Sequence, residues 1–96
     1  FRSYMERILV IGCSGQIGSE LVLELRGIYG NHNVFATDIK TPPLEISESG
    51  PFQILDVLDY KNLLHFVVRN KITQVYYLVM QKRYLCRLGT LTCELL

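Results

Sequence analysis

The chain has 96 residues, of which 49% are hydrophobic and 20% are charged, and its formal net charge is +1. This length allows one small domain, and the composition is that of a folded protein, which excludes a disordered segment. The near-neutral charge gives no electrostatic basis for binding nucleic acid or an anionic membrane, and no apolar run is long enough to span a bilayer. Because the chain begins at Phe1 and not at a methionine, we expect a preceding segment, with any targeting peptide, to be missing.

The three cysteines, Cys13, Cys86 and Cys93, indicate a reduced, intracellular compartment. Their number is odd, and no two of them have the Cys-x-x-Cys spacing of a zinc or redox motif. We therefore expect neither a disulfide framework nor a metal site.

A glycine-rich stretch follows the first apolar run of the chain. Residues 8–11 are continuously apolar, as in a strand buried on both faces of a parallel sheet. Glycines follow at Gly12, Gly15 and Gly18, and a helical pattern starts within them and extends to about Ile28. The start of a helix presents unpaired N–H groups and a positive dipole end to a phosphate. This order of strand, glycine turn and helix predicts a dinucleotide-binding loop, the alternative being a glycine turn without a ligand.

The second predicted strand, Val34–Thr37, ends at Asp38, which lies twenty residues after Gly18. A carboxylate at this position accepts hydrogen bonds from an adenosine ribose and repels the 2′-phosphate of NADP. Lys40 is the one nearby feature that favours NADP. Because Asp38 occupies the strand tip, we expect NAD to be preferred, the alternative being an ordinary turn aspartate.

The middle of the chain contains a loop, two more strands and a helix. Residues 41–51 are rich in proline, serine and glycine, which predicts a surface loop. A third strand, Phe52–Leu55, is followed by Asp56 and Val57. A helix is expected from the N-cap Asp59 to about Asn70, and a fourth apolar strand at 73–79.

This alternation predicts an α/β fold, the N-terminal half of a Rossmann (doubly wound) parallel sheet with strand order 3-2-1-4. In such sheets the ligand lies beyond the carboxyl ends of the strands, where the strand order reverses. The glycine loop, Asp38 and Asp56 all follow strands at that end. Three positions therefore agree on one site.

These motifs resemble those of the extended short-chain dehydrogenases, the group that contains NAD-dependent epimerases and dehydratases. They are Gly12-x-x-Gly15-x-x-Gly18, Asp38 after the second strand and Asp56-Val57 after the third. More narrowly, the stretches at 8–21, 34–40 and 52–59 are similar to the L-threonine 3-dehydrogenases of this group. Those enzymes are mitochondrial in animals and oxidise threonine to 2-amino-3-oxobutanoate with NAD.

The resemblance implies NAD as the cofactor. The implied binding residues are Gly12, Gly15, Gln16, Ile17, Gly18, Asp38, Ile39, Lys40, Asp56, Val57 and Leu78. By the same resemblance, the backbone of residues 15–17 would hold the pyrophosphate, Asp38 the adenosine ribose, and Asp56 with Val57 the adenine. Where the family has a His-Leu-Ala-Ala segment along the nicotinamide ribose, this chain has larger residues at 77–80, which restrict the approach of the cofactor.

The likeness ends after Leu78, which divides the chain into a partial NAD(P)-binding domain at 1–79 and a divergent tail at 80–96. The tail is either a frame-shifted or alternatively spliced ending or a genuine C-terminus. Lacking flanking strands, the fourth strand is expected to leave an exposed edge through which the chain self-associates. The family's Tyr-x-x-x-Lys catalytic pair does not occur in the sequence, so we expect no catalytic residue.

Three functions fit these observations. The first is the NAD-binding half of a dehydrogenase similar to L-threonine 3-dehydrogenase, inactive as this chain. The second is a non-enzymatic dinucleotide-binding or interaction module, and the third is a fragment of a sugar-nucleotide epimerase or dehydratase. The resemblance implies a mitochondrial matrix location, the cytoplasm being the alternative.

Overall fold

The computed structural model describes residues 6–79 and 82–96, so most of the lead-in before Arg7 and the start of the tail at Met80 and Gln81 lie outside the described residues. The described residues form one mixed sheet with helices on its two faces. In chain order the elements are β1 (Ile8–Ile11), α1 (Gln16–Tyr29), β2 (Val34–Asp38), α2 (Leu44–Ser49), β3 (Phe52–Ile54), α3 (Tyr60–Arg69), β4 (Gln74–Val79), β5 (Lys82–Arg87) and β6 (Thr92–Leu95).

The strands lie in the order β3-β2-β1-β4-β5-β6. β1 pairs in parallel with both β2 and β4, and β2 pairs in parallel with β3. The predicted α/β fold with strand order 3-2-1-4 is therefore confirmed. The strand order reverses at β1, which places the loop after β1 at the centre of the carboxyl edge.

β1 is buried along its whole length because helices cover both faces of the sheet. Ile8 and Val10 belong to a core that includes Val22 of α1. Leu9 and Ile11 belong to a second core that includes Phe66 of α3. The continuous apolar run of β1 is thus packed between α1 on one face of the sheet and α3 on the other.

The fourth strand is not an edge of the sheet. β5 pairs antiparallel with β4 from Gln74 to Val79, and β6 pairs antiparallel with β5. Leu85 of β5 is 5% exposed, so the hairpin also adds a side chain to the core. The prediction of an open β4 edge available for self-association is therefore wrong, and the edge strands of the described sheet are β3 and β6.

The segment predicted as a loop at 41–51 contains the helix α2. The Pro43 carbonyl accepts a hydrogen bond from the Ile46 N–H at 3.0 Å, which starts the helix, and the Ile46 side chain is fully buried. The loop prediction is wrong here because the proline precedes the first turn, a position that proline tolerates, and one buried isoleucine anchors the helix.

Arg26 of α1 is 3% exposed and holds α1, α2 and the chain before β3 together. Its guanidinium donates to the Val34 carbonyl at 3.1 Å, the Ile46 carbonyl at 2.8 Å and the Pro51 carbonyl at 2.8 Å, and also to the Ser49 hydroxyl at 3.0 Å. Burial lowers the pKa of Arg26 below its ordinary value. Its hydrogen-bond acceptors among the described residues are uncharged, so the positive charge is stabilised by carbonyl and hydroxyl dipoles.

Cys86 of β5 and Cys93 of β6 form a disulfide, whereas Cys13 is free and buried. The two residues lie opposite each other in the β5–β6 register, with their Cα atoms 4.0 Å apart. The prediction of no disulfide is therefore wrong. The number and spacing of the cysteines do not predict this pair, because its proximity depends on the β5–β6 hairpin, which the sequence pattern does not predict.

Candidate dinucleotide site

The loop between β1 and α1 is held against the ends of the two neighbouring strands. The Gly12 and Cys13 N–H groups donate to the Thr37 carbonyl at the end of β2, at 2.9 and 3.2 Å. Gly12 has a φ of 92°, and a Cβ at this residue would lie 2.7 Å from the Leu78 carbonyl oxygen of β4. Glycine is thus required at position 12 by its backbone conformation and by the closeness of Leu78.

Gly18 lies in the first turn of α1 and lets the helix start directly against the loop. A Cβ at Gly18 would collide with the Gly12 carbonyl oxygen and would lie 2.9 Å from the Cys13 Cα. The neighbouring atoms are backbone, so they have little freedom to move aside. Gly18 therefore sets how closely α1 approaches the carboxyl end of β1.

Gly15 precedes α1 and faces open space. It is exposed, and a Cβ at this position would meet no heavy atom within 4 Å. No side chain among the described residues caps α1, whose first backbone bond runs from the Ser19 N–H to the Gly15 carbonyl. The amides of Gln16 and Ile17 therefore remain available at the positive end of the helix, beside a space that glycine leaves free. This arrangement fits a phosphate group.

Asp38 ends β2 and is bound by the glycine loop. Its Oδ2 atom accepts hydrogen bonds from the Ser14 N–H at 2.9 Å and the Ser14 hydroxyl at 2.6 Å. Its Oδ1 atom accepts the Ile39 N–H at 2.6 Å. Partial burial alone would raise the pKa of Asp38, but the hydrogen bonds from Ser14, Ile39 and Lys40 outweigh it and hold the pKa below its ordinary value. Asp38 is therefore a carboxylate at neutral pH.

The other predicted residues of this edge lie at the ends of β2 and β3. Ile39 and Lys40 directly follow Asp38 and are exposed. Because the Leu55 N–H donates to the Asp38 carbonyl at 3.0 Å, β3 ends beside Asp38. Asp56 and Val57 follow β3. Asp56 is exposed, and its side chain accepts the Leu58 N–H at 3.0 Å. Val57 is half-buried and packs against the core on the α3 side of the sheet.

The predicted residues thus form two groups along one edge. The glycine loop, Asp38 and Leu78 are in direct contact or joined by hydrogen bonds. Asp56 and Val57 lie at the same edge, one strand further from the loop.

Ser14 and Cys13 belong to this site but are not among the residues predicted from the sequence. Ser14 had a recognisable signal, a hydroxyl between the first two glycines with a carboxylate expected at the next strand tip. Burial raises the pKa of Cys13 to about 11, and the negative charge of Asp38 adds to this effect. The Cys13 thiol is thus neutral at physiological pH and contributes packing under the loop.

Residues 6–79 and 82–96 contain neither a metal-binding cluster nor a membrane-spanning helix. No three histidine, cysteine or acidic side chains lie close enough together there to hold a metal ion. None of the helices described above combines the length and apolarity that crossing a membrane requires.

Known proteins resemble both the sequence and this geometry. Residues 8–85 match the NAD dependent epimerase/dehydratase family. Mitochondrial L-threonine 3-dehydrogenase of Bos taurus is 44% identical over 72 residues, and the protein of Homo sapiens named inactive L-threonine 3-dehydrogenase, mitochondrial, is 44% identical over 71 residues. The crystal structure of L-threonine dehydrogenase from Clostridium difficile superposes with a TM-score of 0.70 at 37% identity.

These similarities cover most of this chain but a minor part of the relatives. The matched region is 75% of this chain and 19% of the bovine protein, and 74% of this chain and 31% of the human one. The Clostridium difficile structure is matched over 79% of this chain and 24% of its own length. The resemblance inferred from the glycine motif is confirmed: the chain belongs to the NAD-dependent epimerase/dehydratase family.

Proposed function

We propose that the chain binds NAD and is the dinucleotide-binding portion of a dehydrogenase similar to the L-threonine 3-dehydrogenases. The observation that carries this proposal is the position of the free start of α1 beside a carboxylate fixed at the end of β2. The positive helix end favours phosphates, and the carboxylate favours ribose hydroxyls, so the two are complementary to adjoining parts of one nucleotide. The names of the bovine and Clostridium difficile relatives support threonine as the substrate of the whole enzyme.

Residues 1–79 would form the binding unit, with 80–96 as an added segment. The residues in contact with NAD would be Gly12, Gly15, Gln16, Ile17 and Gly18 around the pyrophosphate, Asp38, Ile39 and Lys40 around the adenosine ribose, Asp56 and Val57 at the adenine, and Leu78 toward the nicotinamide. When bound, NAD supplies a nicotinamide ring that accepts a hydride. NAD is preferred over NADP because the ionised Asp38 repels a 2′-phosphate, and the exposed Lys40 forms no ion pair with Asp38 in the described part of the chain.

Replacing Gly15 with valine is expected to weaken NAD binding about tenfold or more, or at least about 1.4 kcal/mol, because the side chain would fill the space expected for the pyrophosphate. The fold should tolerate the change, since a Cβ at Gly15 meets no atom within 4 Å. Titration calorimetry with NAD measures the effect. Gly27→Val is the matched control, because Gly27 is also exposed and also has open space around a Cβ, but lies far along α1. Equal dissociation constants for the two variants would refute the proposed site.

The chain is also proposed to bind NAD without oxidising an alcohol. Hydride removal from an alcohol needs a base for the hydroxyl proton, and none of the six tyrosines has a lysine four residues later. Asp38 and Asp56 are expected at the adenosine end of the cofactor, away from the reacting carbon. Purified chain with NAD and L-threonine should therefore produce no NADH above a blank, as followed by absorbance. Turnover that falls on substituting Tyr77 or Tyr84 with phenylalanine would contradict this proposal.

A mitochondrial matrix location is proposed on the names of the bovine and human relatives. Subcellular fractionation of cells that express the tagged gene product tests it. Recovery of the protein in the cytosolic fraction alone would exclude this location.

A further inference from the structure

Ser14 makes the closest connection between the glycine loop and the strand that carries Asp38. Its hydroxyl lies 2.6 Å and its N–H 2.9 Å from the same carboxylate oxygen, Asp38 Oδ2. We propose that Ser14 is a positioning residue that sets the preference of the site for a ribose with a free 2′-hydroxyl over one with a 2′-phosphate. This inference rests on the NAD binding proposed above.

The hydrogen bonds fix the orientation of the Asp38 carboxylate before any ligand binds. Oδ2 accepts two hydrogen bonds from Ser14 of the glycine loop, and Oδ1 accepts one from the N–H of Ile39, the next residue in sequence. Rotation of the carboxylate would break bonds on both oxygens. A fixed acceptor loses less conformational freedom on binding, and its remaining lone pairs face defined directions.

The hydroxyl is the part of this arrangement that depends on residue identity. Any residue other than proline at position 14 retains the backbone N–H that donates to Asp38 Oδ2, but only serine or threonine adds a hydroxyl donor at that place. A hydrogen bond to a carboxylate is stronger than one between neutral groups, and it favours the ionised form of Asp38. Burial, together with the negative charge of Asp38, raises the pKa of the Cys13 thiol, so Cys13 is neutral at physiological pH.

Orientation and charge both act on cofactor choice. An oriented carboxylate accepts hydrogen bonds from ribose hydroxyls, and an ionised one repels a phosphate in the same place. Loss of the Ser14 hydroxyl should weaken the first effect directly. It should reduce the second effect only to the extent that Asp38 becomes mobile, because a pKa near its ordinary value still leaves Asp38 ionised at neutral pH.

The test compares Ser14→Ala, Ser14→Thr and a control, Ser47→Ala, which removes an exposed hydroxyl on α2 whose partner is the Leu44 carbonyl. Calorimetry gives the dissociation constants of NAD and NADP for each protein. Carbon-detected NMR of the side-chain carboxyl gives the pKa of Asp38 without any ligand.

Ser14→Ala should weaken NAD binding about tenfold and NADP binding by much less. The reason is that it removes the charge-assisted hydrogen bond from the Ser14 hydroxyl to Asp38, which orients the carboxylate only for an unphosphorylated ribose. The Asp38 pKa should rise toward its ordinary value, while Ser14→Thr and Ser47→Ala should resemble the original chain in both measurements.

The other outcomes distinguish failure of the Ser14 inference from failure of the proposed NAD binding. If the original chain binds NAD but Ser14→Ala leaves the ratio of the two dissociation constants unchanged, the Ser14 inference is overturned and the NAD site stands. Equal weakening of NAD and NADP would likewise overturn it, since Ser14 would then support only the shape of the loop. If the original chain binds neither nucleotide, the proposed function fails and the inference fails with it.

Discussion

Replacing Gly18 with alanine is expected to destabilise the chain and abolish NAD binding, whereas the same change at Gly27 of the same helix should stabilise it. A Cβ at Gly18 collides with the Gly12 carbonyl and comes within 2.9 Å of the Cys13 Cα, so α1 must move away from the loop. Overpacking of this kind costs about 1–3 kcal/mol, and the displaced helix no longer presents its first amides to the pyrophosphate. At Gly27 a Cβ meets nothing within 4 Å. There, alanine should raise the free energy of unfolding by about 0.5–1 kcal/mol.

The comparison isolates the steric contact because both variants gain the same helix propensity. Urea unfolding followed by circular dichroism gives the two free energies of unfolding, and calorimetry gives the affinity for NAD. If both variants are stabilised equally, then α1 does not approach the loop as closely as described.

Replacing Arg26 with methionine is expected to lower the free energy of unfolding by about 3–5 kcal/mol, a large share of the stability of a small domain. The reason is the set of acceptors that the guanidinium satisfies: the carbonyls of Val34 and Ile46 would lose their donor. The Pro51 carbonyl would lose one of two donors and keep the Ala36 N–H at 3.0 Å. Methionine fills much of the volume but donates no hydrogen bond. Arg26→Lys should lose part of this stability, since one ammonium group cannot reach acceptors that a planar guanidinium spans.

Arg69→Met is the control, because Arg69 is exposed on α3 and its replacement should change stability by less than about 0.5 kcal/mol. Hydrogen exchange of the α2 amides provides a second measurement, since α2 is held to α1 through Arg26. Unchanged unfolding and unchanged exchange in Arg26→Met would mean that this cluster does not stabilise the fold.

The sequence was most informative where a local pattern has one structural solution. The apolar run 8–11 requires cover on both faces, and the glycines after it allow a turn that other residues disfavour. The helix predicted at 59–70 is observed as α3, with the Asp59 side chain accepting the Asn62 N–H as its N-cap. These features depend on neighbours in sequence, so they can be read without the fold.

Features that depend on distant partners were not predictable in the same way. α2 is six residues long and is anchored by Ile46 and by Arg26, which lies in another helix. The β5–β6 hairpin becomes recognisable only once β4 offers a strand to pair with, and the Cys86–Cys93 disulfide follows from that hairpin. The Ser14–Asp38 contact combines residues that the sequence separates but the parallel pairing of β1 with β2 brings together.

The antiparallel pairing of β5 with β4 also determines at which edges a further strand can join this sheet. A doubly wound sheet is extended by a further parallel strand on the outer side of β4, which requires the N–H and C=O groups along that side. Here the register from Gln74 to Val79 commits those groups to β5. Any additional strand, from this polypeptide or from another molecule, must therefore join at β3 or β6, or must first displace the hairpin. The β5–β6 hairpin thus prevents a further parallel strand from pairing with β4.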